Sequence, residues 1–323
     1  MNTSTTHTNP LNRVSQGYLI CVFATAIWST TAILIRYLTQ TYQLPALVLA
    51  FWRDFFVVLT LFAGLLAISP KRLQVDREHL PFLVLYGLVL SVFNTLWTIS
   101  VALNGAAVST VLAYSSSAFT ALLGWRLFNE RLGPAKILAV SLSLAGCAFV
   151  SGAYQLSAWR LNALGILTGV LSGIGFAAYS LMGKESSNRK IDSWTALLYS
   201  FGFGAMFILA YNLAPGWLSP NLPMGSLWWL GGALAGWAVL LLLAMAPTLG
   251  GYGLYTLSLT YLPASVANLI ATMEPAFTAF LAYFLLSERL SLPQFFGSIL
   301  IVSGVVILRL SEGRRLGKRL KLA

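Results

Sequence analysis

Charge is what this sequence has least of. Asp, Glu, Lys and Arg together make up 9% of its 323 residues, too little polar surface to coat a soluble fold. The only two cysteines, Cys21 and Cys147, lie inside apolar runs without CxxC spacing, so no disulfide framework or thiolate metal site is implied. The two histidines are equally uninformative, with His7 in the polar amino-terminal stretch and His79 at the edge of an apolar run. Neither belongs to a metal or nucleophile constellation. There is no Gly-x-x-x-x-Gly-Lys-Ser/Thr loop and no polar domain long enough to hold ATP, which excludes a self-contained ATP-driven pump and leaves gradients as the energy source. No cofactor is called for. The alternative of an intramembrane enzyme or lipid-handling protein would need a charged or metal-bearing cluster at a membrane surface, and a channel would show rings or repeated filter motifs. Neither pattern is present. The first sixteen residues hold a single basic residue, Arg13, unlike a signal or transit peptide.

What the chain has is apolar length. It is 58% hydrophobic with a mean hydropathy of +0.78, the composition of an all-α integral membrane protein in contact with the lipid bilayer. About 20 apolar residues cross a core of about 30 Å. Runs of that order occur at 17–38, 45–68, 80–103, 106–128, 134–154, 163–183, 193–213, 238–262, 263–286 and 290–310, predicting ten transmembrane helices. The stretch 214–237, with Trp217, Trp228, Trp229, Trp237 and the Gly231-Gly232 pair, reads as an interfacial or re-entrant excursion outside the cytoplasm, because tryptophan favours the headgroup zone and glycine weakens a spanning helix.

The formal net charge of +11 raises the question of a nucleic-acid partner, but the basic residues are spread over short connections and set orientation instead. With the amino terminus in the cytoplasm, all but four of the twenty Lys and Arg fall on inside segments. Arg36, Arg160 and Arg289 fall outside and Arg53 lies within a span. Both termini are thus expected in the cytoplasm, with the basic tail from Arg314 to Lys321 against anionic lipid.

The chain also repeats itself. Ala118-Phe119-Thr120-Ala121…Glu130-Arg131-Leu132 returns as Ala276-Phe277-Thr278-Ala279…Glu288-Arg289-Leu290. Gly17-to-Tyr37 aligns onto Gly165-to-Glu185, and Ser100-to-Val150 onto Ser258-to-Leu308. Each half holds five spans, and an odd number makes the second half enter the membrane from the opposite side. The expected organisation is a cytoplasmic tail over 1–16, a first five-helix repeat over 17–154, a connection over 155–162, an inverted second repeat over 163–310 and a basic cytoplasmic tail over 311–323.

Ten spans in a 5+5 duplication, Trp28-Ser29-Thr30 in the first helix, and Met273-Glu274-Pro275-Ala276-Phe277 before Glu288-Arg289-Leu290 together resemble the drug/metabolite transporter superfamily, EamA type. The resemblance covers residues 17 to 310. The stretch from Trp28 to Arg36 further resembles the aromatic amino acid exporters of that superfamily. The resemblance implies two inverted five-helix bundles around a central cavity, in a multi-pass protein of the bacterial plasma (inner) membrane that exports small solutes, often amino acids. In one place the halves differ: Glu274-Pro275 corresponds to Ser116-Ser117.

Candidate working residues follow from what lipid forbids. Helix breakers free backbone groups that neighbours, water or a ligand must satisfy. They occur at Pro247 in Pro247-Thr248-Leu249-Gly250-Gly251-Tyr252-Gly253 and at Pro275, as packed kinks, hinges or cavity wall. Trp28, Tyr86, Trp97, Tyr114, Tyr179, Tyr252 and Tyr255 combine an apolar body with a polar edge inside apolar runs, suited either to a substrate pocket or to packing. Tyr86, Phe93 and Trp97 share one helical face. Asn94 lies close to that face, and Asn268 stands where the first half has Thr110; each serves a substrate or an interhelical hydrogen bond. Intramembrane charge is costly, and only Arg53, Asp54 and Glu274 carry it. Arg53 is expected about 12 Å from the outer face and Glu274 about 14 Å from it. They either pair with each other or face one hydrated cavity, meeting the carboxylate and ammonium of a zwitterionic solute. The structural alternative is an Arg53–Asp54 pair. Glu274 is also a candidate carrier of a coupling proton. Glu130-Arg131 and Glu288-Arg289 read as local turns and caps, with gating as the alternative. Gly165, Gly169 and Gly173 form a small-residue stripe for close helix packing or sliding.

Overall fold

The computed structural model describes residues 10–159, 163–213, 227–286 and 291–320, and among these residues it contains helix and no strand. The helices are α1 (Pro10–Trp28), α2 (Thr31–Thr41), α3 (Ala46–Ile68), α4 (Leu80–Tyr114), α5 (Ser116–Phe128), α6 (Pro134–Ser151), α7 (Ala163–Asn188) and α8 (Ser193–Leu213). They continue as α9 (Leu234–Leu243), α10 (Gly251–Tyr261), α11 (Ala264–Ala271), α12 (Glu274–Leu286) and α13 (Leu292–Leu320). Nine helical stretches among the described residues are long and apolar enough to cross a bilayer. The tenth expected span, 106–128, is the one divided between the end of α4 and α5.

α4 is a single hydrogen-bonded run, yet it serves two spans. Ser100 Oγ and Ser109 Oγ are 2.8 Å apart, although nine residues of straight helix rise about 13.5 Å. The chain therefore doubles back between them, and Ser100 also donates to the Gly165 carbonyl oxygen at 2.8 Å, anchoring the reversal on α7.

The two halves are related by a two-fold relation visible at the α6–α13 crossing. A Cβ built on Gly146 would lie 2.6 Å from the Gly297 carbonyl oxygen, and one built on Gly304 would lie 2.7 Å from that of Ala139. With the repeat alignment Gly146 corresponds to Gly304 and Ala139 to Gly297, so each end of the crossing is the image of the other. This is the geometry of two inverted five-helix repeats. Because the backbones touch, Gly146→Ala and Gly297→Ala are each expected to destabilise the protein by about 1–3 kcal/mol through overpacking. Gly64→Ala, whose added methyl meets nothing within 4 Å, is expected to be neutral or to stabilise by up to about 1 kcal/mol. Thermal unfolding in detergent checks both.

Two sequence expectations change. The last helix does not stop at 310: α13 continues to Leu320, and Glu312 at its extension accepts from Tyr18 OH at 2.8 Å. Arg309 caps the Tyr18 ring at 4.7 Å. The described part of the tryptophan-rich excursion is a turn, with Trp52 Nε1 donating to the Leu227 carbonyl and Trp229 Nε1 to that of Tyr42. α9 then begins at Leu234, four residues before the expected 238. Trp217, His7, Arg160 and the Glu288-Arg289 turn lie outside the described residues.

Candidate functional site

Four interruptions of helix converge on the molecular centre. α1 gives way to α2 at Ser29-Thr30, α4 to α5 at Ser115, and α11 to α12 at Thr272-Met273, while Ala244–Gly250 between α9 and α10 is π-helical with Pro247 inside it. Proline cannot donate its amide, and a wider turn is a common accommodation, frequent at functional sites. Each break carries a hydroxyl that caps a carbonyl nearby. Ser29 donates to Ala26, Thr30 to Ile27, Thr272 to Leu269, Thr248 to Leu243 and Ser115 to Leu112. Thr278 Oγ1 of α12 reaches the Ser29 carbonyl at 3.2 Å. Backbone that lipid could not solvate is thereby satisfied inside the protein.

The breaks surround a cavity of about 140 Å³ lined by residues of both halves, among them Trp28, Thr31, Arg53, Phe93, Asn94, Trp97, Tyr114, Phe176, Thr248, Tyr252 and Glu274. Trp28, Arg53, Asn94, Trp97, Tyr114, Tyr252 and Glu274 were all legible as candidates in the sequence. The Trp28 indole packs against Tyr252 at 4.7 Å between centroids and Tyr255 at 5.1 Å. It can sit there because residue 251 is glycine: an added Cβ would lie 2.3 Å from its Cδ1.

The polar groups of the cavity divide into two kinds. Trp28 Nε1, Thr31 Oγ1, Arg53 Nη2 and Asn94 Nδ2 are buried without a hydrogen-bond partner among the described residues. An unmet buried donor costs about 1–3 kcal/mol, and all four of these residues line the cavity. Glu274, at the first position of α12, supplies a carboxyl group and accepts from Tyr114 OH. Arg53 and Asn94 also line a smaller cavity of about 40 Å³ with Ile35, Thr39, Ala46, Trp97 and Thr98. The space thus continues from the site toward the α2–α3 connection.

The structure selects among the alternatives the sequence left open. Arg53 does not pair with Glu274. Its Nε donates to Asp54 Oδ1 at 2.9 Å, because Asp54 is adjacent on α3 and fully buried; Arg53 and Glu274 share the cavity instead. Asp54 stands behind Arg53 and does not line the cavity. Tyr86 and Tyr179 are fully buried and packed on each other at 4.7 Å, two turns along from the aromatic wall that Phe93 and Trp97 do form. Tyr255 backs Trp28 and its hydroxyl is bonded to Ser180 at 2.7 Å. Asn268 accepts from Ser116 at 2.9 Å and donates to Ser180 at 3.0 Å, joining α5, α7 and α11 as an interhelical bond. Pro247 and Pro275 shape the breaks without lining the cavity, the latter at the second position of α12 where a missing amide costs nothing.

Thr31, Phe176 and Thr248 are lining residues the sequence reading did not single out. For Thr248 a signal was available, since it follows Pro247 directly. Thr31 and Phe176 lack one, since a lone threonine or phenylalanine in an apolar helix is ordinary composition.

Comparison with known proteins places this architecture. Residues 15–152 and 163–310 each match the EamA-like transporter family, two copies in one chain. An uncharacterized transporter of Archaeoglobus fulgidus is 29% identical over 252 residues, covering 77% of this chain and 84% of that one. The uncharacterized transporter YwfM of Bacillus subtilis is 26% identical over 76% of this chain and 79% of its own. The uncharacterized inner membrane transporter YicL of Salmonella typhimurium is 22% identical, over 93% of this chain and 97% of its own. A protein of known crystal structure superposes with a TM-score of 0.75 at 18% identity, over 93% of this chain and 98% of that one, a likeness of fold. The chain is a multi-pass membrane transporter belonging to the EamA-like transporter family, within the drug/metabolite transporters.

Proposed function

We propose that this transporter exports small zwitterionic metabolites, amino acids first and aromatic or other neutral ones among them, by alternating access of its two repeats. The observation that carries the reading is the meeting, in the lining of one cavity, of Arg53, Asn94 and Trp28 with the carboxyl group of Glu274. A carboxylate on the solute meets the guanidinium and amide, and an ammonium meets Glu274. The rings of Trp28, Phe93, Trp97, Phe176 and Tyr252 form the apolar wall, as in other small-molecule sites. Size favours one compact solute: about 140 Å³ compares with the ~150 Å³ apolar cavity that takes up benzene. This favours a single amino acid over a bulky drug, the second reading. The expected setting is the bacterial plasma membrane with both termini cytoplasmic, as the basic connections direct.

The test is counterflow in proteoliposomes with a panel of labelled amino acids, with and without a pH gradient. Saturable exchange of neutral amino acids supports the reading. No exchange of any amino acid, with the protein folded, moves the substrate to another metabolite. Glu274 is the proposed proton carrier, so Glu274→Gln is expected to keep residual exchange and abolish stimulation by the pH gradient. Retained stimulation assigns coupling elsewhere.

A further inference from the structure

A second buried charged cluster joins the two repeats far from the cavity. Glu130 follows α5 after Asn129, whose left-handed φ of 52° ends the helix. The turn sends the Glu130 carboxylate back under Gly124, where an added Cβ would lie 2.9 Å from its Cδ. There it crosses to the second half. Oε1 accepts from the Ala264 amide at 3.0 Å, and Oε2 accepts from Ser265 Oγ, so this carboxylate caps the start of α11. Lys136 of α6 completes the cluster with its Nζ 2.7 Å from Ser265 Oγ and 3.4 Å from Glu130 Oε2. Both side chains are only 8% exposed. The sequence reading of Glu130 as a local cap is thus replaced by a tie between repeats.

Its position matters. Ala264 is ten residues, about 15 Å, along α11 and α12 from Glu274. α3 runs from the α2–α3 connection to the opposite face, and α4 with its reversal and α5 bring the chain to that opposite face again. The cluster therefore closes the side opposite to the one toward which the cavity extends.

The repeat alignment shows the cluster to be one-sided. Glu130 corresponds to Glu288, but Lys136 corresponds to Gln294, Ser265 to Ala107, Gly124 to Ala282 and Asn129 to Ser287. In sequence, the positions of the image carry no lysine, no hydroxyl opposite the carboxylate, no glycine and no asparagine tolerant of a left-handed turn. Gln294 is committed elsewhere, its Oε1 accepting from the Ser291 amide at 2.9 Å at the start of α13.

We propose that Glu130, Lys136 and Ser265 are the latch of the gate on the α5–α6 side, and that the lack of an equal latch on the other side biases the resting transporter toward the state with its cavity open at the α2–α3 end. The proposal rests on alternating access but not on any substrate. In inverted repeats the second state exchanges the conformations of the halves, so a tie present in one image only sets the balance between them.

The test reads access without transport. Thr98, which lines the smaller cavity, is replaced by cysteine in a chain carrying Cys21→Ala and Cys147→Ala. Labelling by a membrane-impermeant maleimide is then followed in proteoliposomes with the α2–α3 end facing the reagent. Glu130→Gln and Lys136→Met are each expected to slow labelling at least several-fold. Installing the missing groups on the other side, Ala107→Ser with Gln294→Lys, is expected to slow it while leaving the first cluster intact. All three variants must elute monodisperse with an unchanged helical spectrum. Unchanged labelling in the folded Glu130 and Lys136 variants, or faster labelling in the double variant, overturns the proposal. Failure of amino acid counterflow with the labelling result intact would overturn only the substrate reading.

Discussion

Arg53→Leu is expected to cost about 3–5 kcal/mol of stability, because it leaves the Asp54 carboxylate buried without its cation. Asp54 is fully buried, its Oδ1 accepts from Arg53 Nε, and its Oδ2 has no partner among the described residues. Replacing both residues, Arg53→Leu with Asp54→Leu, removes the uncompensated charge and is expected to recover most of that loss, as apolar replacement of a buried pair often does. Transport separates the two roles. The double variant recovers the fold but lacks the guanidinium that faces the cavity, so its exchange is expected to stay at least tenfold down, about 1.4 kcal/mol or more of lost binding. Thermal unfolding and counterflow on the same preparations measure both. A double variant that transports normally would reduce Arg53 to a structural cation.

Gly251→Ala is expected to abolish saturable exchange and to cost about 1–3 kcal/mol of stability through overpacking. Alanine is preferred over glycine in a helix interior by about 1 kcal/mol, yet the added methyl would lie 2.3 Å from Trp28 Cδ1 and 2.6 Å from its Nε1. The backbone of α10 cannot retreat easily, since Gly253, two residues on and on nearly the opposite face, packs closely on Trp194, where an added Cβ would lie 2.5 Å from the ring. The indole must therefore swing toward the cavity and fill its space. Exchange rates together with Trp fluorescence in the presence of candidate amino acids check the outcome. Normal exchange would mean that the Trp28 indole is not a wall of the site.

The two predictions probe the centre from different directions, one through charge and one through shape. They bear on how breaks in helices become a site. The Ser29-Thr30, Ser115 and Thr272-Met273 interruptions and the π-helical Ala244–Gly250 segment bring short polar side chains to mid-membrane while hydroxyls cap the carbonyls so released. At Pro247 and at Pro275 a strong breaker announced the interruption. The others rest on serine and threonine, which also occur in regular membrane helices, where their hydroxyls bond back one turn as readily without breaking anything.

The sequence by itself determined that this chain is a membrane protein of two inverted repeats, since span length is set by bilayer thickness and an odd number of spans per repeat forces inversion. It also brought forward Trp28, Arg53, Asn94, Trp97, Tyr114, Tyr252 and Glu274, because charge and polar aromatics in hydrocarbon are rare enough to stand out. Partner choice was decided only by the tertiary structure. Arg53 turns to Asp54 and not to Glu274, Asn268 ties three helices instead of facing the cavity, and Tyr86 and Tyr179 pack on each other. The physical reason is that hydrophobic periodicity specifies which residues avoid lipid, but not which neighbour a polar atom meets once inside. That depends on distances of a few ångströms between segments more than a hundred residues apart, and Glu130 crossing to Ala264 and Ser265 is the clearest case.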